Sequence, residues 1–210
     1  MQSIFDYLFG QYAEYETTDI ILESIAIIFG FLSVLYSKKN SVLVFPTGMI
    51  STVIFVYLLS KWGLLGDMMI NAYYFIMSVY GWYIWTKKID SQHVTPIAKT
   101  TFTEKKISLA IFLATLVFVY LVYTAFNKWT SWVAYIDTLS TAIFFVGMWL
   151  MAKRKLENWI FWIIGDVISV PLYFYKGFTL TSLQYLVFTI IAIYGYKAWK
   201  KNLNSNPQTV

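Results

Sequence analysis

The chain has 210 residues, of which 59% are hydrophobic, 20% aromatic and only 13% charged. That is more apolar surface than one soluble core of this size hides, and an integral membrane protein is the class that fits. The formal charge is +5 and there is no cysteine, which excludes a disulfide framework and a thiolate metal site.

Residues 1–19 carry Asp6, Glu14, Glu16 and Asp19 and no Lys or Arg. They form an acidic segment without the basic start of a cleavable signal peptide. Seven apolar stretches follow, at 20–36, 42–59, 67–85, 107–126, 133–151, 159–175 and 179–196. Each approaches the ~20 residues that a helix needs to cross the hydrocarbon. The runs are continuous, without strict alternation, so they predict helices and an all-α membrane protein.

In chain order, the first stretch opens near Glu23 and the second contains Pro46. The third carries Asn71 and Tyr74 and ends in "SVYGWYIW", with Tyr80, Gly81, Trp82 and Trp85. His93 lies in the polar loop "DSQHVTPIAK" and reads as a solvated residue, neither metal ligand nor catalytic base. The fifth stretch opens at Asp137. The sixth is "ENWIFWIIGDVISVPLYF", with Trp159, Trp162, Asp166 and Pro171. The seventh carries Gln184 and Tyr185, and a polar tail, 202–210, follows. Pro46 and Pro171 interrupt their spans as hinges or as kinks relieved by neighbouring helices.

The basic residues predict the orientation. With the N-terminus outside, the inner loops hold Lys38, Lys39, Lys87, Lys88, Lys99, Lys105, Lys106, Lys153, Arg154, Lys155, Lys197, Lys200 and Lys201. The outer loops hold only Lys61, Lys128 and Lys176. Positive-inside asymmetry then reads N-out, C-in. The same rule explains the net charge without a nucleic-acid partner, and leaves anionic lipid contact as a modest second role.

The sequence also reads as a duplication. "ESIAIIFGFLSVLY" from Glu23 resembles "DTLSTAIFFVGMWL" from Asp137, 114 positions on. Each reaches a basic turn, "SKKNS" or "AKRKLEN", read as three residues longer in the second copy. "FPTGMISTVIFVYLLSKWG" from Phe45 is then set opposite "WIIGDVISVPLYFYKG" from Trp162. "SVYGWYIWTK" and "AIYGYKAWKK" return to the offset of 114. An odd number of helices inverts a directly fused copy, and the unmatched span 107–126 restores its direction. The predicted plan is three plus one plus three: repeats at 20–88 and 131–201, joined by a loop and linker helix at 89–130. Parallel repeats of this kind place a substrate site where the halves meet.

"KLENWIFWIIGDVISVPLYFYKG", "LTSLQYLVFTIIAIYGYKAW" and "INAYYFIMSVYGWYIW" resemble the PnuC family of vitamin transporters over nearly all of 23–199. The resemblance implies two three-helix halves similar to the SWEET sugar transporters, a homotrimer, and a bacterial inner-membrane location. It also implies facilitated diffusion of nicotinamide riboside, trapped afterwards by cytoplasmic phosphorylation. Riboside transporters of the family carry Asn where this chain has Asp166. Related members carry thiamine, riboflavin or deoxynucleosides, so thiamine is the alternative cargo.

Asp166 falls near mid-membrane, where an aspartate costs about 3 kcal/mol even on the lenient insertion scale. No Lys or Arg lies at a span centre to pair with it, so it is the leading substrate-binding candidate. Trp162 is one turn before it and Trp159 three residues earlier, on nearly the same face. Aromatic faces beside one carboxylate suit a flat cationic ring, a pyridinium or a thiazolium. Trp159 reads equally well as an interfacial belt residue. Asn71 and Gln184 can read hydroxyls or a carboxamide, or bond helix to helix. Tyr74 and Tyr185 can complete an aromatic cage, with packing the plainer reading. Glu23 and Asp137 are placed in first helical turns, where the dipole favours acids, with a structural or gating role. Tyr80, Trp82 and Trp85 form a packing motif or an inner gate.

The chain carries no His/Cys constellation, nucleophile elbow or phosphate loop, so the reading is a transporter and not an enzyme, with no metal or cofactor. A rhodopsin-like protein needs a Schiff-base lysine inside the seventh span. The nearest one, Lys197, stands at its edge.

Overall fold

A computed structural model of the chain describes residues 16–63, 65–88, 95–127, 129, 131–176 and 179–205. His93, Lys128, Asp6 and Glu14 lie outside the described residues. The fold is all-helical: α1 Thr17–Lys38, α2 Val44–Lys61, α3 Leu65–Thr86, α4 Phe102–Ala125, α5 Trp132–Ala152, α6 Asn158–Tyr175 and α7 Thr179–Ser205. Of these, α1, α2, α4, α5 and α6 are long and apolar enough to cross a membrane.

Several helices start before the apolar run that reveals them. α4 begins at Phe102 because Thr101 and Glu104 form a capping box, Thr101 accepting from the Glu104 N–H while Glu104 accepts from the Thr101 N–H. α1 and α5 likewise start early. Glu23 and Asp137 therefore sit in second turns, and the first-turn dipole reading of both is corrected; the acid in the first turn of α1 is Asp19. Pro46 does not interrupt a span either. It lies in the first turn of α2, where the missing N–H costs nothing. Pro171 does lie inside α6.

α2 packs on both α1 and α3, and α6 on both α5 and α7. The two groups meet through α1 against α7 and α3 against α5, while α4 packs chiefly on α5. α5 is the most enclosed helix, with a continuous buried run at 142–148. The main core cluster sits at the lysine-rich end, around Phe45, Trp85, Met151, Trp159 and Trp199.

One register relates the two groups. α1 and α5 end at Lys38 and Ala152, α2 and α6 begin at Val44 and Asn158 and end at Lys61 and Tyr175, and α3 and α7 begin at Leu65 and Thr179. Each pair is separated by 114, the separation of Ser37 from Met151 and of Asn40 from Arg154. Asn40 and Arg154 share the left-handed conformation, φ 55° and 57°. The turn bonds repeat as well: the Ser41 N–H donates to the Tyr36 carbonyl at 3.0 Å, and the Lys155 N–H to the Leu150 carbonyl at 2.9 Å. The two basic turns thus have equal length, and Phe45 corresponds to Trp159, not Trp162. The three-residue shift expected for the second helix of each group is corrected.

Candidate functional site

The corresponding positions do more than repeat; near the lysine-rich end they touch. The Trp85 indole N–H donates to the Met151 carbonyl at 3.2 Å, and the Trp199 N–H to the Ser37 carbonyl at 2.9 Å. These are one bond made twice, since Trp85 and Trp199 correspond, as do Ser37 and Met151. The two indoles meet with centroids 5.6 Å apart. Phe45 stands edge-on to Trp85 at 5.0 Å and Trp159 edge-on to Trp199 at 5.6 Å, both at 89°. Four rings thus form a row, Phe45–Trp85–Trp199–Trp159, with an edge-on contact at each end. Glycines make room for it: a Cβ at Gly81 would run into the Phe45 ring, and one at Gly195 would come within 2.5 Å of Trp159.

Arg154 adds a bond that the first half lacks. Its Nε donates to Asn40 Oδ1 at 3.0 Å, Nη1 donates to the Thr95 carbonyl, and the guanidinium lies over the Trp85 ring at 4.5 Å. Burial pushes it down to about 10, which leaves it charged at neutral pH. The segment after α3 is pinned beside it. The Ala98 N–H donates to the Arg154 carbonyl and the Leu156 N–H to the Ala98 carbonyl. The Thr100 hydroxyl donates to Glu157 Oε2 at 2.6 Å, and Lys155 pairs with Glu104 at 3.0 Å.

Beneath the ring row, between the halves, is a cavity of about 250 Å³, slightly under the usual range for small-molecule sites. Its second-half wall is aromatic. Phe144 and Trp162 lie 5.5 Å apart, Phe144 and Tyr185 stack at 6.0 Å, and Tyr74 approaches Trp162 at 6.4 Å. Gly165 lets Phe144 approach α6, because any Cβ there would meet the Phe144 ring. Asp166 lines the same wall and is 3% exposed. Among the described residues no side chain pairs or hydrogen-bonds with it. Trp159 borders the cavity, and its indole N–H is buried with no partner among the described residues. The first half contributes Tyr74 and two valines, and otherwise small residues, Gly30, Ser33, Gly48, Ser51, Thr52 and Ser78 among them.

The fold therefore gathers Asp166, Trp162, Trp159, Tyr74 and Tyr185 around one space. Asn71 is elsewhere, half-buried, with Nδ2 donating to the Asp67 carbonyl at 3.0 Å. Gln184 is half-buried and does not line the cavity. Trp85 is in the ring row, whereas Tyr80 and Trp82 are exposed. Asp137 pairs with Lys176 at 2.8 Å at the opposite end of the bundle, where Lys61 pairs with Asp19 at 3.0 Å. Glu23 is half-buried in α1. Sequence reasoning missed Phe144, Met148 and the whole serine-and-glycine wall. The constant offset is the signal that finds them, because it sets Gly48 against Trp162 and Gly30 against Phe144.

Comparison with known proteins gives a consistent set of relatives. The model of the family described as "Nicotinamide mononucleotide transporter" matches residues 20–201. The nicotinamide riboside transporter PnuC of Escherichia coli (strain K12) is 22% identical over 201 residues, covering 85% of this chain and 84% of that protein. PnuC of Neisseria mucosa is 24% identical over 193 residues, 87% of this chain and 73% of that one. The riboflavin/roseoflavin transporter RibM of Streptomyces davaonensis is 24% identical over 129 residues, 59% of this chain and 58% of that one. The crystal structure of a vitamin B3 transporter PnuC superposes with a TM-score of 0.66 at 22% identity, over 97% of this chain and 91% of that one.

Proposed function

Because the chain belongs to the nicotinamide mononucleotide transporter family, the PnuC family of membrane vitamin transporters, we propose that it carries nicotinamide riboside into the cell by facilitated diffusion, with trapping by cytoplasmic phosphorylation. The observation that carries this reading is Asp166, a buried carboxylate without a partner among the described residues, on an aromatic cavity wall. A cationic ring in the cavity beside Trp162 and Phe144 gains cation–π contact and supplies the missing countercharge. The Trp159 N–H is available to a substrate acceptor.

Two parallel three-helix repeats about the linker helix α4, as in the SWEET transporters, are the architecture of this reading. The shared register and the twice-made tryptophan bond support it. The chain sits N-out and C-in in the bacterial inner membrane as a homotrimer. Among the described residues, Lys61 and Lys176 at the outer end each pair with an acid there, which supports an excess of positive charge on the cytoplasmic side. The ring row then closes the inner end as a gate, and Arg154 latches it.

Thiamine is the second reading. Asp166 favours it, since the family resemblance implies an amide at this position in riboside transporters, and thiamine is equally cationic. Uptake into liposomes tests both. Nicotinamide riboside should enter saturably and stop at equal concentrations. Accumulation driven by a proton or sodium gradient would refute facilitated diffusion, and uptake of thiamine alone would transfer the cargo assignment.

A further inference from the structure

The two cavity walls are corresponding surfaces that have diverged in opposite directions. Gly48 corresponds to Trp162, Gly30 to Phe144, Ser51 to Gly165 and Thr52 to Asp166, all at the offset of 114. The contacts between these positions persist through the exchange. A Cβ on Gly30 would lie 3.2 Å from Ser51 Oγ, and one on Gly165 would meet Phe144; one on Gly48 would lie 3.1 Å from Ser33 Oγ, and one on Gly147 3.5 Å from the Trp162 ring. At these corresponding positions one wall keeps rings and a carboxylate, and the other keeps hydroxyls and the space that rings would fill, with Tyr74 the ring that the first half contributes.

The hydroxyls differ in what they have to offer. The Ser33 hydroxyl donates to the Val44 carbonyl and that of Thr52 to the Gly48 carbonyl, each at 2.8 Å, which leaves them as acceptors. Many helical Ser and Thr elsewhere spend their proton on a carbonyl of their own helix, as Ser108 does on Glu104 and Thr115 on Ile111, although Ser169 is buried without a partner among the described residues. Ser51 and Ser78 do not spend theirs in this way. They are 6% and 3% exposed, they line the cavity, and neither has a hydrogen-bond partner among the described residues. A serine stripe between membrane helices is ordinarily a packing device. What sets Ser51 and Ser78 apart from Ser169, which does not line the cavity, is that their unspent hydroxyls border a space a ligand can enter.

Resting on the cationic-ring reading above, we propose that Ser51 and Ser78, with Ser33 and Thr52 as acceptors, form a hydroxyl-reading shelf for the sugar portion of the substrate. Cargo then lies across the seam with fixed polarity, ring on the second half and sugar on the first. Sugar hydroxyls both donate and accept, so they match a shelf that offers two free donor–acceptors beside two acceptors. The substrate class selected is a cationic ring bearing a polyhydroxyl group, and a cationic ring alone fills only half of the site.

Calorimetry on the purified full chain tests this with nicotinamide riboside and 1-methylnicotinamide, the same kind of cationic ring without the sugar. Ser51→Ala and Ser78→Ala should each weaken the riboside about three- to tenfold, the usual worth of one neutral hydrogen bond. Both should leave 1-methylnicotinamide within about twofold. Equal losses for the two ligands, or no loss for either, overturn the shelf. So does a riboside that binds the unaltered protein no more tightly than 1-methylnicotinamide, although the cationic-ring reading survives that outcome. If neither pyridinium binds and thiamine does, the riboside assignment fails and the sugar shelf falls with it, since thiamine bears a single hydroxyl and no sugar. Riboside binding with silent variants overturns the shelf alone.

Discussion

Trp85 and Trp199 face each other 5.6 Å apart, and each gives its indole proton to a carbonyl of the opposite half. The two acceptors, Met151 and Ser37, correspond to one another as the donors do. Bonds equivalent in geometry and burial should be equivalent in energy. Trp85→Phe and Trp199→Phe each keep a ring and delete a donor. The Met151 and Ser37 carbonyls still accept from the Arg154 and Asn40 N–H groups, so the loss is that of one net hydrogen bond, about 0.5–1.5 kcal/mol. Thermal unfolding in detergent should show similar destabilisation from each. A large loss from one and none from the other would mean that only one of the two bonds holds the seam.

Asp166→Asn separates charge from hydrogen bonding. A charge-assisted contact is worth about 1.5–3 kcal/mol, so an ionised Asp166 predicts a ten- to hundredfold weaker affinity for a cationic vitamin in the variant. Calorimetry at pH 7 with nicotinamide riboside and thiamine reads this. Unchanged affinities for both remove the electrostatic role. A gain for the riboside with a loss for thiamine makes this side chain the selector between cargoes.

Gly195→Ala should push Trp159 off its seat, since the added carbon comes within 2.5 Å of the indole. Overpacking of this kind costs about 1–3 kcal/mol. Trp159 also borders the cavity, so substrate affinity should fall along with thermal stability. Gly81→Ala clashes with Phe45, which does not border the cavity, and should lower stability alone. Matched affinity losses from the two substitutions would count against a role for Trp159 in binding.

Arg154→Lys keeps a charge but loses the planar fork that reaches Asn40 and Thr95 and covers Trp85. The segment around Ala98 should then detach from the turn between α5 and α6. Hydrogen exchange should rise at the Ala98 and Leu156 amides, whose bonds make that bridge. Exchange unchanged at both would show that the bridge stands without the arginine.

A reporter fused after Val210 should read cytoplasmic, and a tag before Ser3 should read as outside the inner membrane. Both follow from the lysine asymmetry. Finding the two on one side would mean an even number of spans.

The helices were legible because each is a long apolar run, and Asp166 because a carboxylate amid such a run is costly enough to need a reason. The register of α2 against α6 was not. A slip of three residues is close to one helical turn, so it preserves most of the apolar face and still pairs ring with ring, Phe45 with Trp162. Only the turn geometry at Asn40 and Arg154 removes that freedom. The serine wall left no mark in composition, because serine in a membrane helix usually satisfies itself on its own backbone. Asn71 drew notice as a polar group in a span, yet Asp67 of its own helix uses its amide.

The bonds exchanged by Trp85 and Trp199 have the form of a self-complementary dimer interface, in which one patch carries both donor and acceptor and meets its own copy about a two-fold axis. A single three-helix unit holding Ser37 and Trp85 would already contain everything needed to pair with a second molecule of itself, making the same contact twice. A homodimer of such units must present identical walls to an unsymmetrical cargo. A single chain that holds both surfaces is free of that constraint, and its two walls differ as Gly48 differs from Trp162.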